Sequence, residues 1–321
     1  MKIAKRILLA STAVVVLASG AVAADIAVIG GRSDDLFFNR IKKGVDDARL
    51  VVEANGGSVS YLPLASYDNL GPDAAQLVRT AISQGVDGIA VPNWVPEAED
   101  EAIRAAIDAG IKVILMNAGN IDKADELGAI NYVGSDDYVA GVAGGEYFAN
   151  NGVTDVVCVN TVPGAANLEA RCQGVADGLA KHGGTSVQLP LPASSFGDPT
   201  AVAEAVKATI LQDESVQGMI AMGAGEADSV ASGIEQAGKT GTVKLAAFDL
   251  NETNLNRIAD GSQFFAIDQQ PYLQALLGVT LLASHIDFGT DLPTRPVLTG
   301  PGIVNAANVE ATIAGVGKGA R

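Results

Sequence analysis

Cysteine and histidine are almost absent from this chain, two of each in 321 residues, and that scarcity removes several kinds of chemistry at the outset. Two cysteines in so long a chain make no disulfide framework, and no Cys/His cluster has metal-site spacing. His182 in a Gly-rich turn and His285 near a helix end adjoin no nucleophile motif and read as surface residues. HExxH, GxSxG and phosphate-loop patterns are all missing. Gly223-Ala224-Gly225 supplies two glycines of a dinucleotide fingerprint, but Asp228 stands where the third belongs. No catalytic group, metal or cofactor is therefore expected. Basic residues are also few, 21 Lys and Arg against 37 Asp and Glu for a net charge of −16. Such a surface repels phosphate backbones and argues against a nucleic-acid partner.

Long apolar runs are confined to the amino terminus. Lys2, Lys5 and Arg6 precede the apolar stretch Ile7 to Leu17, too short to span a bilayer, and Ala21-Val22-Ala23-Ala24 supplies a small-residue cleavage region. Residues 1–24 read as a secretory signal peptide, so the mature protein is expected outside the cytoplasm. Cys158, in the run Val156-Val157-Cys158-Val159, and Cys172, in the following helix, either pair there or remain two buried thiols. Strand-to-helix geometry decides between these.

The rest, about 300 residues, is enough for two domains of ordinary size. It reads as strands alternating with helices. Strands are expected over 26–29, 59–64, 88–91, 113–116 and 130–134, then over 156–159, 187–191, 219–221, 245–248 and 264–267, with helical spacing between them. This alternation implies parallel βαβ units. Gly56-Gly57-Ser58-Val59-Ser60-Tyr61-Leu62-Pro63-Leu64 parallels Gly183-Gly184-Thr185-Ser186-Val187-Gln188-Leu189-Pro190-Leu191, which suggests two similar α/β lobes. Asp198 followed by Pro199 forms a helix start, and Pro271 suits the first turn of the helix after Asp268-Gln269-Gln270.

In open α/β sheets ligands bind at strand carboxyl ends. Those ends carry Asp35, Phe37, Phe38, Asn93, Trp94, Asn117, Asp249 and Gln269, with Asn167, Arg171, Phe196 and Gly223 close behind strands of the second series. Aromatic faces pack on the C–H faces of a sugar ring, while carboxylates, amides and a guanidinium saturate its hydroxyls. Each residue also has a plainer role open to it. One of Phe37 and Phe38 is expected to pack the first helix on the sheet, Asp249 could cap the helix near Asn251, Asn117 could form a turn, and Arg171 could pair with Glu169 or Asp177 on a helix surface.

The motifs Asp35-Leu36-Phe37-Phe38, Gly134-Ser135-Asp136, Ala170-Arg171-Cys172-Gln173-Gly174, Phe248-Asp249 and Ile267-Asp268-Gln269-Gln270-Pro271 together resemble the periplasmic sugar-binding proteins of ATP-driven importers, of the ribose and galactose type. Their order and spacing over nearly the whole mature chain carry the likeness. The resemblance implies two Rossmann-like lobes with parallel sheets joined by a three-crossing hinge. The crossings fall near Gly134 to Asp137, Asp268 to Gln270, and Leu298 to Pro301. It implies an amino-terminal lobe of residues 25–134 plus 270–298, a carboxy-terminal lobe of 135–269 plus 299–321, and a monomer in the periplasm. The partners it implies are a sugar or polyol and a membrane permease with its ATPase subunit. Phe37, Phe38 and Phe196 would sandwich the ring; Asp35, Asn117, Arg171, Asp249 and Gln269 would bind hydroxyls. Asn117-Ala118 stands where ribose binders carry Asp-Arg, and Gly223 where they often have Asn, which argues against ribose. Trp94 adds aromatic surface. An exported signalling receptor for a furanose-like or other small polar ligand is the alternative.

Overall fold

The computed structural model describes residues 23–319 and 321; the expected leader lies largely outside them. Among the described residues no helix is long and apolar enough to cross a membrane. The first half runs β1 (Asp25–Gly30), α1 (Leu36–Ala54), β2 (Ser58–Pro63), α2 (Leu70–Gln84), β3 (Gly88–Val91), α3 (Pro96–Asp108), β4 (Lys112–Met116), α4 (Ile121–Leu127) and β5 (Asn131–Ser135). The second runs α5 (Asp137–Asn150), β6 (Asp155–Val159), α6 (Ala166–Ala180), β7 (Thr185–Gln188), α7 (Pro199–Gln212), β8 (Gly218–Ala221), α8 (Ala224–Gln236), β9 (Lys244–Phe248), α9 (Glu252–Asp260) and β10 (Phe265–Asp268). Then follow α10 (Pro271–Phe288), β11 (Val297–Gly300), β12 (Gly302–Val304) and α11 (Val309–Val316).

Two six-stranded sheets result, ordered β11-β5-β4-β3-β1-β2 and β12-β10-β9-β8-β6-β7. Every pairing is parallel except β10 with β12. The central parallel strands are buried on both faces, so they read as unbroken apolar runs, whereas edge strands such as β2 and β7 are partly exposed. On β1, Ile26 and Val28 face the core under α1 and α10, while Ala27 and Ile29 face the opposite core under α2 and α3. The chain passes between sheets after β5, after β10 and between β11 and β12, at the three expected crossings. The two similar stretches hold the same place: β2 is the edge strand beside β1, and β7 the edge strand beside β6. The second ends sooner than its apolar pattern suggests, at Gln188, because Pro190 has no N–H for the ladder.

Helix starts follow the sequence. Asp35 caps α1 by accepting from the Phe37 N–H, Asp136 caps α5, and Asp198 caps α7 with Pro199 in the first turn. Asn251, not Asp249, caps α9. That leaves the Asp249 carboxyl free of helix duty.

A disulfide joins Cys158 on β6 to Cys172 on α6. It fastens to the sheet the helix that carries Arg171. On its other side α6 meets α5 backbone to backbone: a Cβ on Gly141 would stand 2.2 Å from the Arg171 carbonyl oxygen, and one on Gly174 would stand 2.2 Å from that of Tyr138. Gly141→Val should therefore push α6 outward, cost at least about 2 kcal/mol, and lower the urea midpoint measurably; an unchanged midpoint would refute this packing.

Candidate functional site: a cleft between the lobes

The carboxyl ends of both sheets face one another across a cavity of about 460 Å³. Its wall takes Asp35, Phe37 and Phe38 after β1, Trp94 after β3, Asn117 after β4, Asn167 and Arg171 on α6, Phe196 before α7, Gly223 after β8, Asp249 after β9, and Gln269 after β10. Asn93 alone of the expected residues is not among them. It is fully buried, with its amide 3.0 Å from Asp100 Oδ1. Neighbouring residues of an extended segment point to opposite sides, so Trp94 and Asn93 do not both face the cleft.

Arg171 is the site's central side chain and does not lie on a helix surface; it is 2% exposed. Its Nε donates to Asp137 Oδ1 at 2.8 Å, one terminal nitrogen donates to the Met222 carbonyl at 2.8 Å, and the other donates to Gln269 Oε1 at 2.8 Å. Gln269 Nε2 in turn donates to Asp249 Oδ1 at 2.5 Å. The guanidinium carbon lies 4.6 Å from the centre of the Phe248 ring, a cation–π arrangement. A guanidinium has five N–H groups. Three are thus engaged by protein, which leaves two for a ligand.

Asn117 and Asp249 occupy matching places, each following its own sheet's strand, β4 or β9. Both have left-handed backbones, with φ 69° and 66°. Non-glycine residues rarely adopt this conformation, and when the surroundings impose it the residue commonly serves a site. The Tyr132 hydroxyl braces the first turn, 2.9 Å from the Asn117 carbonyl oxygen.

The aromatic wall belongs to the first lobe. Phe37 and Phe38 pack edge to face with centroids 5.2 Å apart, and Phe38 meets Trp94 in the same way at 5.8 Å. Phe38 is the one that joins the core, while Phe37 is only partly covered. Phe196 approaches from the second lobe and packs edge-on against Tyr67, 5.0 Å between centroids. Arg32 sits over both rings, and the Ala166 N–H donates to the Trp94 carbonyl at 2.8 Å. These contacts span the cleft.

Arg32, Tyr67, Thr161, Ser195 and Glu226 also line the cavity, and the sequence reading passes over them. Arg32, Tyr67 and Thr161 lie in loops just beyond strand ends, and Ser195 ends a short 3-10 turn after β7, so extending the strand-end rule a few residues would have reached them. Tyr67 holds Asp35, its hydroxyl donating to Oδ2 at 2.7 Å.

The cavity's carboxyls are shifted together. Burial raises Asp249 to about 7 against the attraction of Arg171, and raises Asp137 to about 6 against the same cation. Burial also lifts Asp35 and Glu226 above the usual carboxylate range. The Asn167 side-chain oxygen and Asp137 Oδ2 are buried with no protein partner among the described residues. Asn167 lines the cavity, where such an orphaned atom suits a ligand or water.

A two-lobed α/β chain with a cavity of aromatic and polar lining between facing strand ends is built to enclose a small molecule. The chain belongs to the periplasmic binding protein family, whose domain model matches residues 26–291. The xylose/arabinose-binding protein XylF of Sulfolobus acidocaldarius is 26% identical over 288 residues, covering 85% of this chain and 69% of the relative. A D-ribose/D-allose-binding protein of Pseudomonas aeruginosa is 26% identical over 214 residues, 64% of each chain. Among solved structures, a carbohydrate transporter from Acidothermus cellulolyticus in complex with myo-inositol shares 33% identity with a TM-score of 0.83, covering 93% of this chain and 99% of that one. By name these relatives are two sugar-binding proteins and a carbohydrate transporter holding myo-inositol. The chain is accordingly a receptor of that family and not an enzyme.

The raised carboxyls have a measurable consequence. The folded chain holds protons that the unfolded chain releases near its ordinary carboxylate values, so ionisation of these groups opposes folding. Stability of the ligand-free protein should fall as pH rises from about 4 through the value of about 7 at Asp249. Melting temperatures at pH 5 and pH 8 test this, and Asp249→Asn should show a shallower fall than the wild type.

Proposed function

We propose that this chain is the solute-binding receptor of an ATP-driven sugar importer. It takes a monosaccharide or cyclic polyol into the interlobe cleft and delivers it to a membrane permease powered by an ATPase subunit. The observation that carries this reading is the buried Arg171–Gln269–Asp249 chain facing the aromatic wall of Phe37, Phe38 and Trp94. The aromatic wall offers faces to a ring's C–H bonds, and the polar chain offers donors and acceptors to its hydroxyls. Pentoses, allose and myo-inositol, the ligands in the relatives' names, are all uncharged polyhydroxy compounds. The same reading makes residues 1–24 a cleaved export leader and the working form a periplasmic monomer. It also divides the chain into lobes of 25–134 plus 270–298 and 135–269 plus 299–321.

Function follows from differential contact. A ligand touching both lobes favours the closed arrangement by whatever it binds better there, and three parallel crossings restrict the motion to opening and twisting.

Calorimetry and thermal unfolding against myo-inositol, D-xylose, D- and L-arabinose, D-ribose, D-allose and D-galactose test the proposal. A true ligand at one hundred times its Kd should stabilise the folded protein by about 2.7 kcal/mol. Asn117→Gly removes one amide yet suits the left-handed backbone, so it should weaken binding about tenfold while leaving the ligand-free melting temperature close to wild type. Silence across the whole panel, from folded protein freed of carried-over ligand, would sink the sugar reading.

A further inference from the structure

We propose that Glu226 is a ligand-contacting, specificity-determining residue of the cleft, whose carboxyl selects hydroxyl-rich rings without a negative charge and rejects sugar acids. The inference rests on the cleft being the ligand site, as proposed above, and adds to it the class of ring that the site takes.

Geometry carries the argument. Glu226 lies in the first turn of α8, directly beyond Gly223, and both line the cavity. A Cβ placed on Gly223 would stand 2.4 Å from Glu226 Oε2. The Gly223 backbone is extended, φ −154°, a conformation open to any residue, so the turn itself does not demand glycine. What the missing side chain provides is space, and the Glu226 carboxyl fills it. The carboxyl is also aimed: the Thr161 hydroxyl donates to Oε1 at 3.2 Å, while Oε2 receives no hydrogen bond from another described residue. A carboxylate oxygen held in a cavity wall without a donor is an acceptor waiting for a hydroxyl or an ammonium group.

Charge decides what is refused. Asp35, Glu226 and Asp249 all border one cavity. The buried cation there, Arg171, is already paired with Asp137, and Arg32 at the rim is paired with Asp34. Where these raised carboxyls are ionised, above about 7 for Asp249, a ligand carboxylate would meet Asp35, Glu226 and Asp249 in a poorly solvated space, where repulsion is less screened than in water. A neutral ring meets no such repulsion and can use the wall's acceptors together with its amide and guanidinium donors.

The test is titration calorimetry of the full chain at pH 8, above the raised value of about 7 at Asp249, with myo-inositol, D-galactose, D-glucosamine and D-galacturonate. The wild type should bind at least one of the first three and not measurably bind galacturonate. Glu226→Gln keeps the shape and an acceptor for Thr161, so the fold should persist, yet affinity for the bound ring should fall about tenfold to a hundredfold, with discrimination against galacturonate reduced. Gly223→Ala reaches the same end differently, its methyl displacing Oε2 with Glu226 unchanged. Melting temperatures of both ligand-free variants within a few degrees of wild type separate lost contact from lost fold. If both variants bind as wild type while Asn117→Gly is weakened, Glu226 has no part in recognition and the cleft reading survives. If galacturonate binds the wild type as well as galactose does, selection by charge is overturned. If wild-type protein binds no ring at all, the cleft reading fails and this inference fails with it.

Discussion

A buried guanidinium holds the second lobe and two of the three crossings in one arrangement. Removing a cation from water costs several kcal/mol even after relaxation, and an unpaired one is not tolerated. Arg171 must therefore be fully met, and its partners come from separate places in the chain. Asp137 ends the first crossing, Met222 follows β8, Phe248 closes β9, and Gln269 lies in the second crossing. Satisfying one side chain fixes all of them relative to α6. The disulfide at Cys172, the next residue, and the glycine-to-glycine contact of α6 with α5 then hold that helix to the sheet. A polar cavity wall made this way is organised before any ligand arrives, which lowers the ordering cost of binding.

The contacts that cross the cleft are much weaker. One backbone hydrogen bond between Ala166 and Trp94, one aromatic pair between Tyr67 and Phe196, and Arg32 over the Phe196 ring contribute about 2–4 kcal/mol between them. Shifting a two-state equilibrium from nearly all open to nearly all closed takes about 5.5 kcal/mol. The direct contacts supply too little for that, so a ligand reaching both walls governs the balance. This is the energetic arrangement a receptor needs, because a cleft that closed strongly without ligand would report nothing.

Much of this was legible in the sequence because the relevant physics is local. Unbroken apolar runs marked the buried parallel strands, Asp198-Pro199 and Pro271 marked helix starts, and polar or aromatic residues just past strand ends marked the cleft. What was not legible depends on direction and distance. Asn93 and Trp94 are neighbours at one strand end, and only the backbone decides which faces inward. Whether Cys158 reaches Cys172 depends on how a helix settles on a sheet. The partner of Arg171, Asp137, is 34 residues away in sequence, beyond any helical spacing. Glu226, a few residues past the end of β8, was passed over because its meaning rests on what Gly223 lacks.

The two lobes repeat one topology but divide the chemistry unequally. Asn117 and Asp249 are counterparts with nearly the same backbone, yet one offers an amide and the other a carboxyl. Phe37, Phe38 and Trp94 come from the first lobe; Asn167, Arg171, Glu226, Asp249 and Gln269 come from the second or its crossing. For the ring ligand proposed, this division has a consequence. Packing on an aromatic face changes little when a hydroxyl inverts, whereas a hydrogen bond to a fixed carboxyl or guanidinium is lost with the wrong stereochemistry, leaving a desolvated group unmatched. Most discrimination among rings therefore falls to the second lobe, with Asp35 and Asn117 adding hydrogen-bonding groups from the first.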